Sequence, residues 1–184
     1  MAHPEQHSYV AAVKSLHPGH FIKARVLEIG SLNVNGTVRT HFTDCEYTGC
    51  DVGPGPCVDV VGAAHTLNLP RGSFDTIISC ECLEHDKFWP DTLKTSVESL
   101  RDGGLLVLTW ASPAREPHGV TAHDPWASPH TTDHYAAPSM DDVLGMIAHH
   151  CPLVSPGVEV AYYSATTFRN GLDCGVWCKK QSGE

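Results

Sequence analysis

Hydrophobic and polar positions follow one another along the chain in blocks that predict a succession of strands and helices. Short apolar runs bounded by glycine, proline or an acid are typical of buried strands, and apolar residues three or four positions apart are typical of a helix with one buried face. The predicted strands cover residues 24–30, 46–52, 57–63, 74–80, 105–111, 158–168 and 175–180, and the predicted helices cover residues 5–16, 86–100 and 139–150. This alternation predicts an α/β fold with a mostly parallel sheet.

Two connections depart from a simple alternation. The sequence GPGPC between the second and third predicted strands is too short for a crossover helix. Either a tight loop joins those strands, or one of the two strand predictions is wrong. The last two strands flank RNGLD, in which Asn170 and Gly171 favour a turn, so they are predicted to form an antiparallel hairpin.

Composition and charge narrow the range of functions. The 184 residues, 41% hydrophobic and 18% charged, favour one globular domain that spans residues 1–184. The formal net charge of -9 argues against tight binding to a nucleic-acid backbone. We recognise neither a secretion signal nor an apolar run long enough to cross a bilayer, and the eight cysteines are expected to be reduced thiols. We therefore expect a cytoplasmic protein that binds neither nucleic acid nor membrane, in an oligomeric state that the sequence leaves open.

The turn in ARVLEIGSLNVNG predicts a site for a nucleotide-like cofactor, because ligands of open α/β sheets bind beyond the carboxyl ends of the strands. The turn lacks the second glycine of the dinucleotide pattern, and Glu28 would lie unfavourably close to a diphosphate. A carboxylate here complements a positively charged amino acid group, and Asp51, at the end of the next strand, suits both hydroxyls of a ribose. The residues therefore favour S-adenosylmethionine over NAD.

Four motifs, in order, resemble those of class I S-adenosylmethionine-dependent methyltransferases of the small type 11 group. VLEIGSLNVNG is similar to the first motif of that family, and YTGCDVGPGPCVDVVGAAHTL is similar to its second motif and the segment that follows. FDTIISCECLEHD resembles the fourth strand, and LRDGGLLVLTW resembles the entry to the fifth. The resemblance covers roughly residues 24–111 and implies a Rossmann-like, mostly parallel sheet sandwiched by helices, with the antiparallel hairpin at its C-terminal end.

The resemblance also implies a cofactor site. It would place Glu28, Gly30 and Ser31 beside the methionine part, with Gly36 at the start of the next helix, while Asp51 holds the ribose. Ser79 and Cys80 either lie below the methionine part or pack the edge of the sheet. Two glycines of the first motif and an acid near Ala63 are absent, so the adenine contact is either lost or passes to the backbone, Ala64 or His65. The full predicted set is Glu28, Gly30, Ser31, Gly36, Asp51, Val52, Ala64, His65, Ser79 and Cys80.

The segment SPAREPHGVTAHDPWASPHTTDHY is unusually rich in histidine, and it permits three interpretations. It forms a substrate lid with a general base, for which His118 is the first choice, or a metal site of imidazole and carboxylate groups, or a solvated surface loop. Its histidines are His118, His123, His130 and His134, with Asp124 and Asp133 close by. Glu84 and His85, in the preceding motif, are interpreted as structural residues at a helix start.

We therefore predict a methyltransferase that passes the methyl group of S-adenosylmethionine to an oxygen or nitrogen atom of a small-molecule acceptor. For this function no metal ligands are assigned. Because two glycines of the first motif are absent, a catalytically inactive cofactor-binding or scaffold protein is an alternative. A metal-dependent enzyme that uses the His-rich segment 118–134 is a further alternative.

Overall fold

A seven-stranded sheet forms the centre of the computed structural model, which describes residues 3–150 and 163–181. The strands are β1 (Arg25–Ile29), β2 (Glu46–Asp51), β3 (Val60–Val61), β4 (Phe74–Cys80), β5 (Leu100–Ala111), β6 (Tyr163–Phe168) and β7 (Asp173–Lys179). Their order in the sheet is β3-β2-β1-β4-β5-β7-β6. The first five run parallel, whereas β7 is antiparallel to both β5 and β6. The predicted fold class is therefore confirmed, including the C-terminal hairpin.

Helices cover the sheet on two sides. They are α1 (Pro4–Leu16), α2 (Trp89–Ser99) and α3 (Met140–His150). Because successive side chains of a strand point to opposite faces, the central strands supply two separate cores. Leu106 and Leu108 of β5 pack with α2 and α3, and Leu105 and Val107 pack with α1. This double burial explains why LLVL in β5 is a continuous apolar run.

The connection between β1 and β2 differs from the prediction. The sequence analysis expected an α-helix that Gly36 opens, but the described structure has only a 3-10 helix, Val38–His41, in this connection. The Thr37 side chain caps that short helix by accepting a hydrogen bond from the Arg39 backbone. The helix on this side of the sheet is α1, which lies before β1 in the chain.

A tight loop joins β2 to β3, which is one of the two alternatives that the sequence left open. The predicted strand 57–63 shrinks to Val60–Val61, because the chain turns between Gly55 and Asp59. The backbone nitrogen of Val58 donates to Gly55 at 3.2 Å, and that of Asp59 donates to Gly49 at 2.8 Å. Val58 and Asp59, which the prediction assigns to the strand, therefore form part of the loop instead.

The other predicted elements agree with the structure to within a few residues, with one clear exception. Strand β5 begins at Leu100 rather than at residue 105, since Leu100 pairs with Phe74 before an irregularity in the register. Ser139 caps α3 as expected, because its Oγ accepts a hydrogen bond from the backbone nitrogen of Asp142 at 3.1 Å. Residues 158–162 of the sixth predicted strand lie outside the described residues.

The described part of the chain contains no helix with the length and apolar character required to cross a membrane. Seven cysteines are described, and all seven are free thiols, in agreement with the expectation of reduced cysteines; Cys151 lies outside the described residues. The cytoplasmic location stays a prediction.

Candidate functional site

A cavity of about 440 Å³ lies at the carboxyl ends of β1, β2 and β4. Its volume is within the range of about 300–1,000 Å³ that is usual for small-ligand sites. The walls come from the turns after β1 and β2, from residues 62–66, from the segment after β4, and from the His-rich segment. Five residues of the predicted cofactor set line this cavity, namely Gly30, Asp51, Val52, Ala64 and His65.

The turn after β1 depends on Gly30. Its backbone is left-handed, with φ of 74°, a conformation that only glycine adopts without strain. The backbone nitrogens of Gly30 and Ser31 both donate to the carbonyl oxygen of Cys50, at 2.9 and 3.1 Å. A Cβ atom on Gly30 would lie 2.7 Å from the Cβ of Cys82. The glycine therefore allows the end of β1 to approach the segment after β4, which also lines the cavity.

Asp51 ends β2 with its carboxylate held between two turns. Its Oδ2 accepts a hydrogen bond from the Leu32 nitrogen at 3.1 Å, and its Oδ1 accepts one from the Gly53 nitrogen at 3.4 Å. A carboxylate has about four lone-pair positions, so two hydrogen bonds leave it able to accept others. Asp51 is therefore oriented by the protein and still available to hydroxyl groups of a ligand in the cavity.

The remaining predicted cofactor residues do not line this cavity. Glu28, Ser31, Gly36 and Cys80 surround a separate space of about 10 Å³, which is room for no more than about one water molecule. Ser79 lines neither space, and its Oγ donates to the Ile29 carbonyl at 3.0 Å. Their contacts with a cofactor stay predictions.

Strand alternation explains the position of Glu28. Leu27 and Ile29 face the core beside α2 and α3, so Glu28 points with Val26 toward the opposite face. There its carboxyl group accepts a hydrogen bond from the Tyr47 hydroxyl at 2.9 Å. Burial raises the pKa of Glu28 to about 7, against the opposing effect of that hydrogen bond.

Residues 62–66 form a further wall of the cavity. Ala64 is buried, and the ring of His65 lies 4.7 Å from the ring of Phe88, centroid to centroid. The His65 Nδ1 is buried without a hydrogen-bond partner in the protein. This wall therefore offers two planar side chains and an unpaired ring nitrogen at the position where the family motif usually has an acid.

Part of the His-rich segment forms a wall of the cavity, and its role as a lid stays a prediction. Its residues 127–131, 133 and 134 line the cavity. The segment is attached on both sides: His130 Nε2 lies 3.1 Å from the Pro54 carbonyl oxygen, and Lys87 Nζ lies 2.5 Å from Asp133 Oδ2. The Ala136 nitrogen also donates to the Glu84 carbonyl at 2.8 Å.

The four histidines of this segment do not converge on one point. His123 is exposed and lies 3.4 Å from Asp124, while His130 contacts the β2–β3 loop. His118 does not line the 440 Å³ cavity, and its ring contacts those of His85 and Tyr135 at 5.2 and 5.1 Å. Burial and the charge of Arg115 lower the pKa of His118. The structure thus places the first-choice general base behind His85, and its role stays a prediction.

The sequence predicts a structural role at a helix start for Glu84 and His85, which follow β4. Glu81 and His85 line the cavity, and Glu84 is fully buried in the 3-10 helix Leu83–His85. Burial, together with the charge of Glu81, raises the pKa of Glu84 well above its usual range. Burial, together with the charge of His118, lowers the pKa of His85 to about 3. The signal in the sequence was the run ECLEH, which places two acids and a histidine directly after a buried strand, where unpaired polar groups are costly.

Arg115 connects Glu81 to the C-terminal hairpin. Its Nη1 donates to Glu81 Oε2, and to Asp173 Oδ1 at 2.9 Å. Asp173 also lies 3.1 Å from Arg169 Nη1 and 3.1 Å from His3 Nε2. Although burial opposes it, the hydrogen bond from His3 and the charges of Arg115 and Arg169 lower the pKa of Asp173. Two buried carboxylates, those of Glu81 and Asp173, are thereby paired with the same guanidinium group.

Residues 27–108 match a family model described as a methyltransferase domain. No curated protein matches the sequence. This match and the fold confirm the resemblance to class I S-adenosylmethionine-dependent methyltransferases found in the sequence.

Solved structures share the fold of the chain at low sequence identity. One is phosphoethanolamine N-methyltransferase 2 of Haemonchus contortus in complex with S-adenosyl-L-methionine, with a TM-score of 0.66 and 12% identity over 95% of this chain and 52% of that chain. Another is an S-adenosylmethionine-dependent methyltransferase of Mesorhizobium loti, with a TM-score of 0.60 and 15% identity over 92% of this chain and 96% of that one.

A third is 1,6-didemethyltoxoflavin-N1-methyltransferase of Burkholderia thailandensis, with bound 1,6-didemethyltoxoflavin and S-adenosylhomocysteine. Its TM-score is 0.58, with 14% identity over 99% of this chain and 92% of that chain. The chain thus spans about half of the Haemonchus enzyme and nearly the whole length of the two bacterial proteins. The predicted cofactor agrees with those bound in the Haemonchus and Burkholderia structures.

Proposed function

We propose that the chain is an enzyme that transfers the methyl group of S-adenosylmethionine to an oxygen or nitrogen atom of a small molecule. The observation that carries this proposal is one cavity of about 440 Å³ that is lined by Gly30 and Asp51 and also by Glu81 and His85. The first pair matches the family's cofactor motifs, and the second pair lies where the motifs leave space for an acceptor.

The cofactor half of the cavity would be organised around Asp51. Its carboxylate, oriented by the Leu32 and Gly53 nitrogens, would accept hydrogen bonds from the ribose hydroxyls. Val52 and the ring of His65 would flank the adenine, and the unpaired His65 Nδ1 would replace the family's acid as a partner for the adenine ring. When bound, the cofactor supplies a methyl group on a positively charged sulfur.

The acceptor half would be formed by His85, Glu81 and the His-rich segment. Because its pKa is lowered to about 3, His85 is unprotonated at neutral pH, and its unpaired Nδ1 would present a lone pair at this end of the cavity. The segment 127–134 would exclude water and hold the acceptor in place, and such alignment accounts for a large part of many enzymatic rate enhancements. The small-molecule substrates named for the Haemonchus and Burkholderia proteins support an acceptor of this class.

Calorimetric titration with S-adenosylhomocysteine tests the cofactor site. Wild-type protein should bind one equivalent, and Asp51→Ala should weaken binding by tenfold or more, which corresponds to about 1.4 kcal/mol. Asp141→Ala, which removes an exposed carboxylate on α3 outside the cavity, is the matched control and should leave the affinity unchanged. Absence of binding to the wild type at near-millimolar ligand would contradict the proposal.

Turnover separates the enzyme from the inactive alternative. Wild-type protein is incubated with S-adenosylmethionine and panels of small amines, alcohols, phenols and carboxylates, and acceptor-dependent formation of S-adenosylhomocysteine is measured. Formation that Asp51→Ala reduces would support methyl transfer. Saturable binding without turnover on any acceptor would favour a cofactor-binding protein that has lost catalysis.

A further inference from the structure

Three side chains capable of binding a metal meet beneath the His-rich segment. One ligand atom from each of Glu84, His85 and His118 lies within 4.8 Å of the other two. Two ligands at about 2.1 Å from one ion are at most about 4.2 Å apart. In a tetrahedral site the ligand atoms lie about 3.4 Å apart, so closing around an ion requires each pair to approach by up to about 1.4 Å, which side-chain rotations supply.

The polar atoms of this cluster are not satisfied by the protein. Among the described residues, ten buried side-chain nitrogen and oxygen atoms have no hydrogen-bond partner, and five of the ten belong to Glu81, Glu84, His85 and Tyr135. Both carboxyl oxygens of Glu84 are unpaired, although the residue is 0% exposed. Since a buried polar atom without a partner is costly, this concentration of lone pairs in one place points to a ligand that accepts them.

The two histidines hold their rings as metal ligands do. His85 makes a hydrogen bond with the backbone of His134, which leaves its Nδ1 unpaired. His118 Nδ1 lies 3.4 Å from the carbonyl oxygen of Glu116, which leaves Nε2 as its ligand atom. Metal-binding histidines commonly anchor the second ring nitrogen on a backbone carbonyl in this manner.

We propose that Glu84, His85 and His118 form a binding site for one divalent transition-metal ion, with zinc as the ion best suited to it. Two imidazoles and one carboxylate are a ligand set that zinc accepts, and three protein ligands leave a fourth position open. Because His85 lines the large cavity, the open position would lie at its acceptor end. There the ion would bind an oxygen atom of the acceptor.

The neighbouring charges are compatible with such an ion. The charge of Arg115 acts on all three members of the cluster, and its guanidinium is already paired with Glu81 and Asp173. The buried carboxylate of Glu84 has no cation of the protein as an ion-pair partner among the described residues. A divalent ion would supply that charge.

A second group of potential ligands, His3, Glu81 and Asp173, is a poorer candidate. Its two carboxylates are engaged by Arg115, and Asp173 is also engaged by Arg169. A metal there would have to displace or repel two guanidinium groups. The site at Glu84 has no such competitor.

Metal titration tests the site without any need for methyl transfer. Untagged full-length protein is stripped with a chelator and titrated with Co²⁺, whose visible absorption reports coordination by nitrogen and oxygen ligands, and Zn²⁺ is then added to displace it. The expected result is one equivalent of Co²⁺ with a tetrahedral-type spectrum that one equivalent of Zn²⁺ abolishes. Wild-type protein that shows no saturable one-equivalent binding would overturn the proposal, whatever the outcome of the cofactor titration.

Variants locate the ion. Glu84→Gln, which preserves the shape of the side chain, and His118→Ala should each weaken Co²⁺ binding by at least tenfold. His123→Ala, in the same segment but exposed, and His3→Ala, in the second group, should bind as the wild type does. Equal losses in His123→Ala, or a loss confined to His3→Ala, would contradict the assignment. Circular dichroism confirms folding, and His118→Gln replaces His118→Ala if that variant does not fold.

Discussion

The two ends of the cavity differ in how their polar groups are satisfied. At the β1–β2 end, the turns pair the two acids locally: Asp51 accepts hydrogen bonds from Leu32 and Gly53, and Asp59 accepts one from Gly49 at 2.7 Å. At the β4 end, Glu84 and His85 remain buried with unpaired atoms. The first end is therefore organised in advance for an organic ligand with hydroxyl groups, and the second presents lone pairs suited to an ion.

The two ends also differ in the sequence distance over which they are built. Asp51 lies 19 residues from Leu32 and two residues from Gly53 in the sequence. At the other end, Arg115 reaches Glu81 across 34 residues and Asp173 across 58. The cofactor end is thus a product of local turns, whereas the acceptor end exists only once β4, the His-rich segment and the C-terminal hairpin have packed together.

The largest effect is expected from removing the charge that holds the acceptor end together. Arg115→Met would leave Glu81 and Asp173, whose side chains are 1% and 0% exposed, without this cation. We expect a loss of about 3–5 kcal/mol in the free energy of unfolding, as for other broken buried ion pairs. Urea denaturation at pH 7 measures it.

Arg101→Met is the matched control for this prediction. Arg101 pairs with Asp75 at the surface, and its side chain is 45% exposed, so the cost should be no more than about 1 kcal/mol. Equal losses for the two arginine variants would show that the acceptor end does not depend on long-range charge pairing.

A pH dependence of stability is expected from Glu28, beside the cofactor end. Its pKa is about 7 in the folded state against a usual value of 4.5, so folding takes up a proton between these two pH values. The carboxyl group therefore favours folding below pH 4.5, and that contribution is lost as pH rises to about 7. The difference between the two pKa values corresponds to about 3 kcal/mol.

Glu28→Gln isolates this contribution. The variant should gain up to about 3 kcal/mol in the free energy of unfolding relative to wild type between pH 4.5 and pH 8, as measured by urea denaturation at both values. Glu46→Gln, on the exposed face of the neighbouring strand, is the control and should show a much smaller change. A relative stability of Glu28→Gln that is flat with pH would mean that Glu28 is solvated or paired in the folded protein.

The smallest effect is expected at the turn after β1. Gly30→Ala places a Cβ atom 2.7 Å from the Cβ of Cys82 and on a left-handed backbone. The free energy of unfolding should therefore fall by about 1–3 kcal/mol, and S-adenosylhomocysteine should bind more weakly. Gly145→Ala, on an open face of α3, meets nothing within 4 Å and should stabilise the protein by up to about 1 kcal/mol. Thermal unfolding and calorimetry compare the two variants, and a Gly30→Ala protein with wild-type affinity would contradict the tight turn.

The features of the fold that the sequence predicts correctly are those that depend on a few neighbouring residues. Strand β4 matches residues 74–80 of the prediction, and the N-cap at Ser139 was correctly placed, because a period of two residues and a capping side chain are local properties. The expected helix at Gly36 was wrong because it was taken from the family pattern. In this chain a 3-10 turn replaces it, and α1 packs on that face of the sheet instead.

The interpretation of Glu84 and His85 as helix-start residues accounts for their place in the chain but not for their surroundings. Both belong to a short 3-10 helix, but their surroundings are set by His118 and Tyr135, which arrive from the segment after β5. The segment contains four histidines and is rich in proline, so its sequence has no periodicity that would indicate which histidine packs beside Glu84 and His85.

The sequence by itself determined the class of fold, the order of the cofactor motifs and the position of Asp51, because apolar periodicity and strand-end residues act over a few neighbouring positions. The tertiary structure alone decided that Glu28 points away from the large cavity, that His118 joins Glu84 and His85, and that Arg115 links Glu81 to Asp173. These arrangements depend on which elements pack against each other across the sheet, and that packing is a property of the whole folded chain.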